Sequence, residues 1–174
     1  MTIYTTPAGW EERLVSLASK PHHEAIISTF NLFLDGGKVE DALTKLNEVG
    51  RTKILVGLPY YAPCCNWKEG PCPPCTKKRE HLLDRIVEAS LKYPRIQWFY
   101  TYEWHLKTYL IKMGTFWMGM FGGVNLSASN WTDALIDVHG TTAQQLSLLV
   151  KKTIDTSPLI TKEELAINGY RKRN

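Results

Sequence analysis

Apolar residues recur along this chain with two periods, and the switches between them predict its elements. From Ala8 to Ser19, Trp10, Leu14 and Leu17 fall at helical spacing, which predicts a short amphipathic helix. Lys20-Pro21 ends it, because the residue before a proline is pushed out of the α region. Glu24 to Leu34 predicts a buried strand running into a loop, followed by the turn signal Asp35-Gly36-Gly37. Val39 to Val49 predicts a helix with Ala42, Leu43, Leu46 and Val49 on one face, and Gly50 fits its C-cap. Lys53 to Leu58 is a short continuous apolar run of the kind that central strands carry. Strand, helix and strand at this spacing make a βαβ unit.

Downstream, Lys77 to Lys92 predicts a helix with Leu82, Leu83, Ile86, Val87 and Leu91 as its apolar positions, and Arg95 to Tyr100 a third strand. His105 to Lys112 and Thr115 to Val124 read as strands joined by a tight turn at Met113-Gly114. Asp133 to Val138 reads as another strand, and Thr141 to Ile154 as a helix with Leu146, Leu149 and Val150 inward. Thr161 to Ile167 reads as a short last helix opened by a capping-box pattern. The expected fold class is α/β: a single domain over residues 1–174, with a mixed β-sheet flanked by helices on both faces.

Pro59 to Cys75 interrupts the alternation with five prolines and all four cysteines of the chain, so residues 59–76 are expected to form an inserted loop without regular structure. Cys64, Cys65, Cys72 and Cys75 on a proline-stiffened loop suit a structural zinc ion with tetrahedral thiolate ligands. Adjacent cysteines pair poorly as ligands, so His81 is a substitute for one of the first two. Free thiols and disulfides are the other readings. His22 and His23 lie in a linker, where exposed histidines are the expectation over ligands for a metal or a substrate.

Composition adds modest bounds. The 174 residues are 44% hydrophobic and 22% charged, ordinary for a globular domain with a single core. The formal net charge of +4 is compatible with a polyanionic partner and does not demand one. The N-terminus carries no basic-then-apolar leader pattern and no run reaches the length of a membrane span, so a cytoplasmic chain with no membrane partner is expected.

The chemistry concentrates between Trp104 and Val138. His105 and Lys107 are two residues apart, and in an extended strand they project from one face. Gly122-Gly123, Asn125, Ser127, Ser129 and Asp133 follow a second apolar run. A histidine can attack phosphorus and form a covalent phosphoenzyme. A lysine and an amide hold phosphate oxygens, and a carboxylate behind an imidazole fixes its tautomer. The aromatic run Trp98-Phe99-Tyr100, Tyr102 and Trp104 either stacks bases or packs the core.

His105-x-Lys107 followed by Gly-x-Asn125-Leu-Ser127 resembles the phospholipase D superfamily. HLKTY with GGVNLSASNW is similar to the second motif of tyrosyl-DNA phosphodiesterases, and a single motif in a short chain resembles the small nuclease branch. The resemblance implies a metal-independent endonuclease-type phosphodiesterase. In it His105 is the nucleophile, Lys107 and Asn125 (or Asn130) hold the phosphate oxygens, and Asp133 orients a histidine. Ser127 and Tyr109 are the substrate-binding candidates. The family's aspartate past the lysine is Lys112 here, and its usual serine after the first glycine is Gly123. Family sites use two H-x-K motifs and this chain has one, so a homodimer sharing one site is implied, with nucleic acid, DNA over RNA, as substrate and no cofactor for catalysis. A phospholipid-cleaving enzyme and a non-catalytic nucleic-acid-binding module are the alternatives.

Overall fold

The structure is a computed structural model that describes residues 2–32, 34, 37–58, 73–102, 104–124, 126 and 134–160, without the side chains of residues 7, 73–76 and 79. Among the described residues, seven strands form one mixed sheet: β1 (Ile3–Tyr4), β2 (Glu24–Thr29), β3 (Arg51–Leu58), β4 (Ile96–Tyr102), β5 (Lys107–Met113), β6 (Phe116–Gly122) and β7 (Leu135–His139). The helices described there that flank it are α1 (Pro7–Ala18), α2 (Lys38–Val49), α3 (Pro73–Lys92) and α4 (Gly140–Ile154). The strand order is β1-β7-β6-β5-β2-β3-β4. β2, β3 and β4 are parallel, as the βαβ connections require. β5, β6 and β7 return as an antiparallel meander, with β5 beside β2.

Side-chain alternation divides the core between the two faces of this sheet. Ala25, Ile27, Ile54, Val56, Trp98, Tyr109, Ile111 and Met120 pack with α1, α2 and α3. Ile26, Leu55, Leu110, Trp117 and Val138 pack with Ala143, Val150 and Ile154 of α4. The expected α/β class with helices on both faces is therefore what the chain adopts. Local chemistry sets the helix ends. Thr6 caps α1 by accepting from the Gly9 N–H at 3.3 Å, and Pro7 follows at a position that needs no N–H donor. Glu40 and Asp41 place negative charge in the first turn of α2, which suits the helix dipole.

Several boundaries differ from the sequence reading, each for a physical reason. Within the strand and loop expected over Glu24 to Leu34, the strand ends at Thr29, where the Thr29 hydroxyl donates to Asn31 O at 2.7 Å. The β5–β6 turn is Gly114-Thr115, because Met113 pairs with Phe116 and Gly114 takes the positive φ of +60°. α3 begins at Pro73, inside the stretch expected to be irregular, since proline is tolerated in a first helical turn. Leu149 points outward at 49% exposed, and Ala143, Ser147, Val150 and Ile154 form the buried stripe of α4. Val49 and Leu91 are also exposed. β1, too short to show a period, pairs with β7 at the sheet's edge. Pro158 to Ile160 bonds to the other edge, with Tyr100 N to Pro158 O at 3.3 Å and Ile160 N to Trp98 O at 2.9 Å. The cysteine segment through Cys72, and the helix expected over Thr161–Ile167, lie outside the described residues.

Candidate active site

The strand directions gather the candidate chemistry at one end of the sheet. β2 arrives there with its C-terminus, β5 leaves from it at Lys107, β6 returns to it at Gly122, and β7 departs at Leu135. Gly122 lies opposite Lys107 in register, so the Gly-Gly pair and the H-x-K segment are neighbours across the β5–β6 ladder.

His105 and Leu106 precede β5 in a non-strand approach, which corrects the expectation of an extended His-x-Lys within the strand. Hydrogen bonding from β2 aims the segment instead. Ser28 Oγ donates to Leu106 O at 2.7 Å and lies 3.0 Å from Thr108 Oγ1, and both hydroxyl residues are fully buried. Buried polar groups are costly unless paired, so this cluster fixes the carbonyl between His105 and Lys107. Upstream, Gly57 lets the chain cross close to β3: a Cβ there would collide with the Trp104 carbonyl.

Phe30, the first residue past β2, is where the two candidate side chains converge. The His105 imidazole stacks on its ring with centroids 4.1 Å apart and planes at 22°. Lys107 Nζ lies 5.8 Å from the same centroid, within reach of a cation–π attraction. His105 is exposed and Lys107 half-buried, so the imidazole is open to solvent while one ring face is covered.

The chain on either side of Asn125 is tied to the same place. Tyr109 Oη donates to Val124 O at 2.7 Å, and Leu126 N–H donates to Thr29 Oγ1 at 2.9 Å. Leu126 also bridges Leu32 in parallel, and Arg85 of α3 donates to Leu32 O at 3.1 Å. Gly123 N–H donates to Ala134 O at 3.0 Å, which holds the residue before β7 against the end of β6. Asn125, Ser127, Asn130 and Asp133 themselves lie outside the described residues. Tyr109, named above as a substrate-binding candidate, is 1% exposed with its hydroxyl donating to a backbone carbonyl, so it braces the Asn125 segment from within the core. Burial pushes its phenol pKa up, with a hydrogen bond to Thr29 acting the other way.

The remaining sequence candidates separate from this end. Lys112 sits at the far end of β5, opposite Glu24, with Nζ 5.9 Å from the Trp117 ring. Trp98 is core, which supports packing for that member of the aromatic run, whereas Tyr102 is exposed. Trp104 is partly buried against the α4-side core. His22, expected to be exposed, is 6% exposed, with Nδ1 2.6 Å from Lys20 O. Cys64, Cys65 and Cys72 lie outside the described residues, as does the side chain of Cys75, and among the described residues no three metal-binding side chains cluster. No described helix is long and apolar enough to cross a membrane. Sequence reasoning missed Ser28, Thr29 and Phe30. Their signal was a polar pair and an aromatic ending an otherwise apolar strand.

This arrangement is a phospholipase D-like α/β fold. NucT from Helicobacter pylori shares it at a TM-score of 0.58 with 13% identity, over 90% of this chain and 96% of that one. Phosphatidylserine synthase from Haemophilus influenzae Rd KW20 matches at 0.57 and 17%, over 91% of this chain and 39% of that one. TrmBL2, an archaeal chromatin protein whose structure shows a novel mode of DNA binding, matches at 0.60 and 9%, over 91% of this chain. This chain spans only 52% of TrmBL2, about half its length. No protein-family model matches the sequence, and no curated protein matches it. At these identities the likeness is one of fold.

Proposed function

We propose that the chain is a metal-independent phosphodiesterase that cleaves nucleic acid. The observation that carries the proposal is the convergence of His105 and Lys107 on Phe30, at the sheet end to which both neighbours of Asn125 are also tied. An imidazole nitrogen of His105 attacks phosphorus, a P–N bond forms and the P–O bond to the leaving oxygen breaks. Lys107 and Asn125 stabilise the charge on the non-bridging oxygens. Water then attacks phosphorus and releases the histidine. Asp133 orients an imidazole, and Ser127 offers a hydroxyl to substrate. His105 of a second copy protonates the leaving oxygen, so two chains complete one site. NucT, which this chain matches over nearly its whole length, supports the nuclease reading.

The second reading is DNA binding without cleavage, which the likeness to TrmBL2 favours. Phospholipid cleavage is a third, which the likeness to phosphatidylserine synthase keeps in view. A panel of single- and double-stranded DNA, RNA and phosphatidylglycerol vesicles separates them, run with excess chelator on the wild type and His105→Ala. Cleavage of nucleic acid by the wild type alone is expected. Binding with no cleavage supports the second reading, and vesicle hydrolysis alone supports the third. Sedimentation giving only monomer at active concentrations would remove the shared site. A structural zinc on Cys64, Cys65, Cys72 and Cys75 is part of the same proposal. It would appear as stoichiometric zinc in the purified chain, and thiol titration of a zinc-free chain would reveal free thiols or disulfides instead.

A further inference from the structure

The opposite end of the sheet carries a second basic feature that phosphodiester cleavage does not use. An open groove of about 540 Å³ is lined by His22, His23, Val49, Gly50, Arg51 and Arg95. Four of these six residues carry or can carry positive charge, and no carboxylate is among them.

The sheet register sets this charge in a row. Arg51 opens β3 opposite Glu24, and Thr52 pairs with Ile96, so Arg51 and Arg95 start neighbouring parallel strands side by side. Adjacent strands lie about 4.8 Å apart, so the two arginines leave the sheet at nearly that spacing. On the next strand along, Glu24 is the β2 residue level with Arg51, and His23 lies one residue before it. The two neighbouring guanidiniums repel each other, and an anion between them relieves that repulsion.

The backbones beneath are fixed. Arg95 N–H donates to Asn47 Oδ1 at 2.9 Å, and His23 N–H donates to Lys112 O at 2.9 Å. His22 is sealed beneath, and Gly50 makes room for it: a Cβ at Gly50 would stand 3.0 Å from the ring's Cδ2. Among the described residues neither arginine is in an ion pair. Glu24, the carboxylate on the adjacent strand, is engaged by Lys151 at 2.9 Å.

We infer that this groove is a phosphate-binding site, with the Arg51 and Arg95 guanidinium forks as its principal donors and His23 as a third. A guanidinium presents paired N–H groups that match phosphate oxygens, and two forks on neighbouring strands bracket one phosphate group. The eight residues of β3 separate the groove from the His105 end by about 26 Å, at roughly 3.3 Å per residue. The phosphate belongs either to a free phosphate or monoester, or to a nucleic-acid backbone passing the far end of the sheet. The groove stands independently of the cleavage reading, since none of its residues belongs to the candidate active site.

The test is amide-resolved NMR on the His105→Ala chain, which keeps the groove and cannot turn substrate over by the proposed route. It is titrated separately with inorganic phosphate, a short single-stranded DNA oligonucleotide and sodium chloride. Saturable shifts at His23, Arg51 and Arg95 with inorganic phosphate identify a free-phosphate site. Saturable shifts there with the oligonucleotide alone identify backbone phosphates. In either case Arg51→Ala/Arg95→Ala weakens binding about tenfold or more, the scale of losing charged hydrogen bonds. Arg51→Lys/Arg95→Lys, which keeps charge without the fork, falls between. No shift with either phosphate probe, an equal response to chloride, or affinity unchanged in the double alanine variant overturns the inference. If the double variant misfolds, Arg51→Gln and Arg95→Gln singly carry the same comparison. The groove variants are expected to leave wild-type cleavage of bis(p-nitrophenyl) phosphate unchanged, whereas His105→Ala abolishes it.

Discussion

The two ends of the sheet hold cations in different ways. At the His105 end, buried side chains of β2 and β5 hold the backbone beside the candidate catalytic residues: Ser28 holds Leu106, Thr29 holds Leu126, and Tyr109 holds Val124. At the Arg51 end, the cations sit on strand starts fixed by backbone pairing, and their side chains are exposed. Chemistry at phosphorus needs reacting atoms placed within a fraction of an ångström. Holding a phosphate needs only complementary charge within reach. On the proposed function, the buried hydroxyls at the His105 end serve positioning, and the proposed phosphate groove needs none.

The largest expected effect is at His105. His105→Ala is expected to lower cleavage of a labelled oligonucleotide by roughly 10³-fold or more, the scale for losing a nucleophile. It should leave the thermal midpoint nearly unchanged, because the residue is exposed. A stable variant retaining wild-type rate would remove the nucleophile assignment.

Tyr109→Phe tests the bracing. It leaves the buried Val124 carbonyl without its donor, so urea denaturation should show a loss of about 1–3 kcal/mol. Cleavage should fall as well, although the side chain is out of reach of substrate. Full activity with unchanged stability would show that the brace does not matter. Tyr109 also predicts a pH response. Its folded-state pKa is raised by burial, so its contribution is fully present below the unfolded value of about 10 and is lost as pH rises above it. The wild type should lose stability with rising pH in that alkaline range, and Tyr109→Phe should lose less.

Ser28→Ala comes next, at about 1 kcal/mol of stability. Its effect on cleavage should exceed that of Thr44→Ala, an exposed hydroxyl on α2 remote from the site. Equal effects would mean that Ser28 only supports the fold. Phe30→Leu is the mildest, removing an aromatic stack worth about 0.5–1.5 kcal/mol. It should slow cleavage of the labelled oligonucleotide modestly while leaving the thermal midpoint close to that of the wild type. An unchanged rate would show that the stack does not position the imidazole.

The unequal visibility of these residues in the sequence has a physical cause. His105, Lys107 and the Gly-Gly pair were legible because the motif is local. The parallel β2–β3 pair was legible because strand, helix and strand followed one another at short range. Ser28 and Thr29 were not, because their partners Leu106 and Leu126 lie 78 and 97 residues away. Only the pairing of β2 with β5 and of β5 with β6 brings them together, and nothing in the local pattern encodes strand order. His22 looked like an exposed linker residue because its burial depends on Gly50 across the fold, which leaves space for the ring. Tyr109 looked like a substrate contact because alternation along β5 does not say which face meets three helices. The start of α3 at Pro73 was hidden by proline itself, which breaks helices inside but begins them readily.

A covalent bond from His105 to phosphorus is measured directly by rapid acid-free quenching during turnover of an oligonucleotide with excess chelator, followed by peptide mass spectrometry. A phosphoramidate adduct is expected on the peptide containing His105, absent from His105→Ala, which is also expected to be inactive. Cleavage by His105→Ala at the wild-type rate, with no adduct on the wild type, would contradict it.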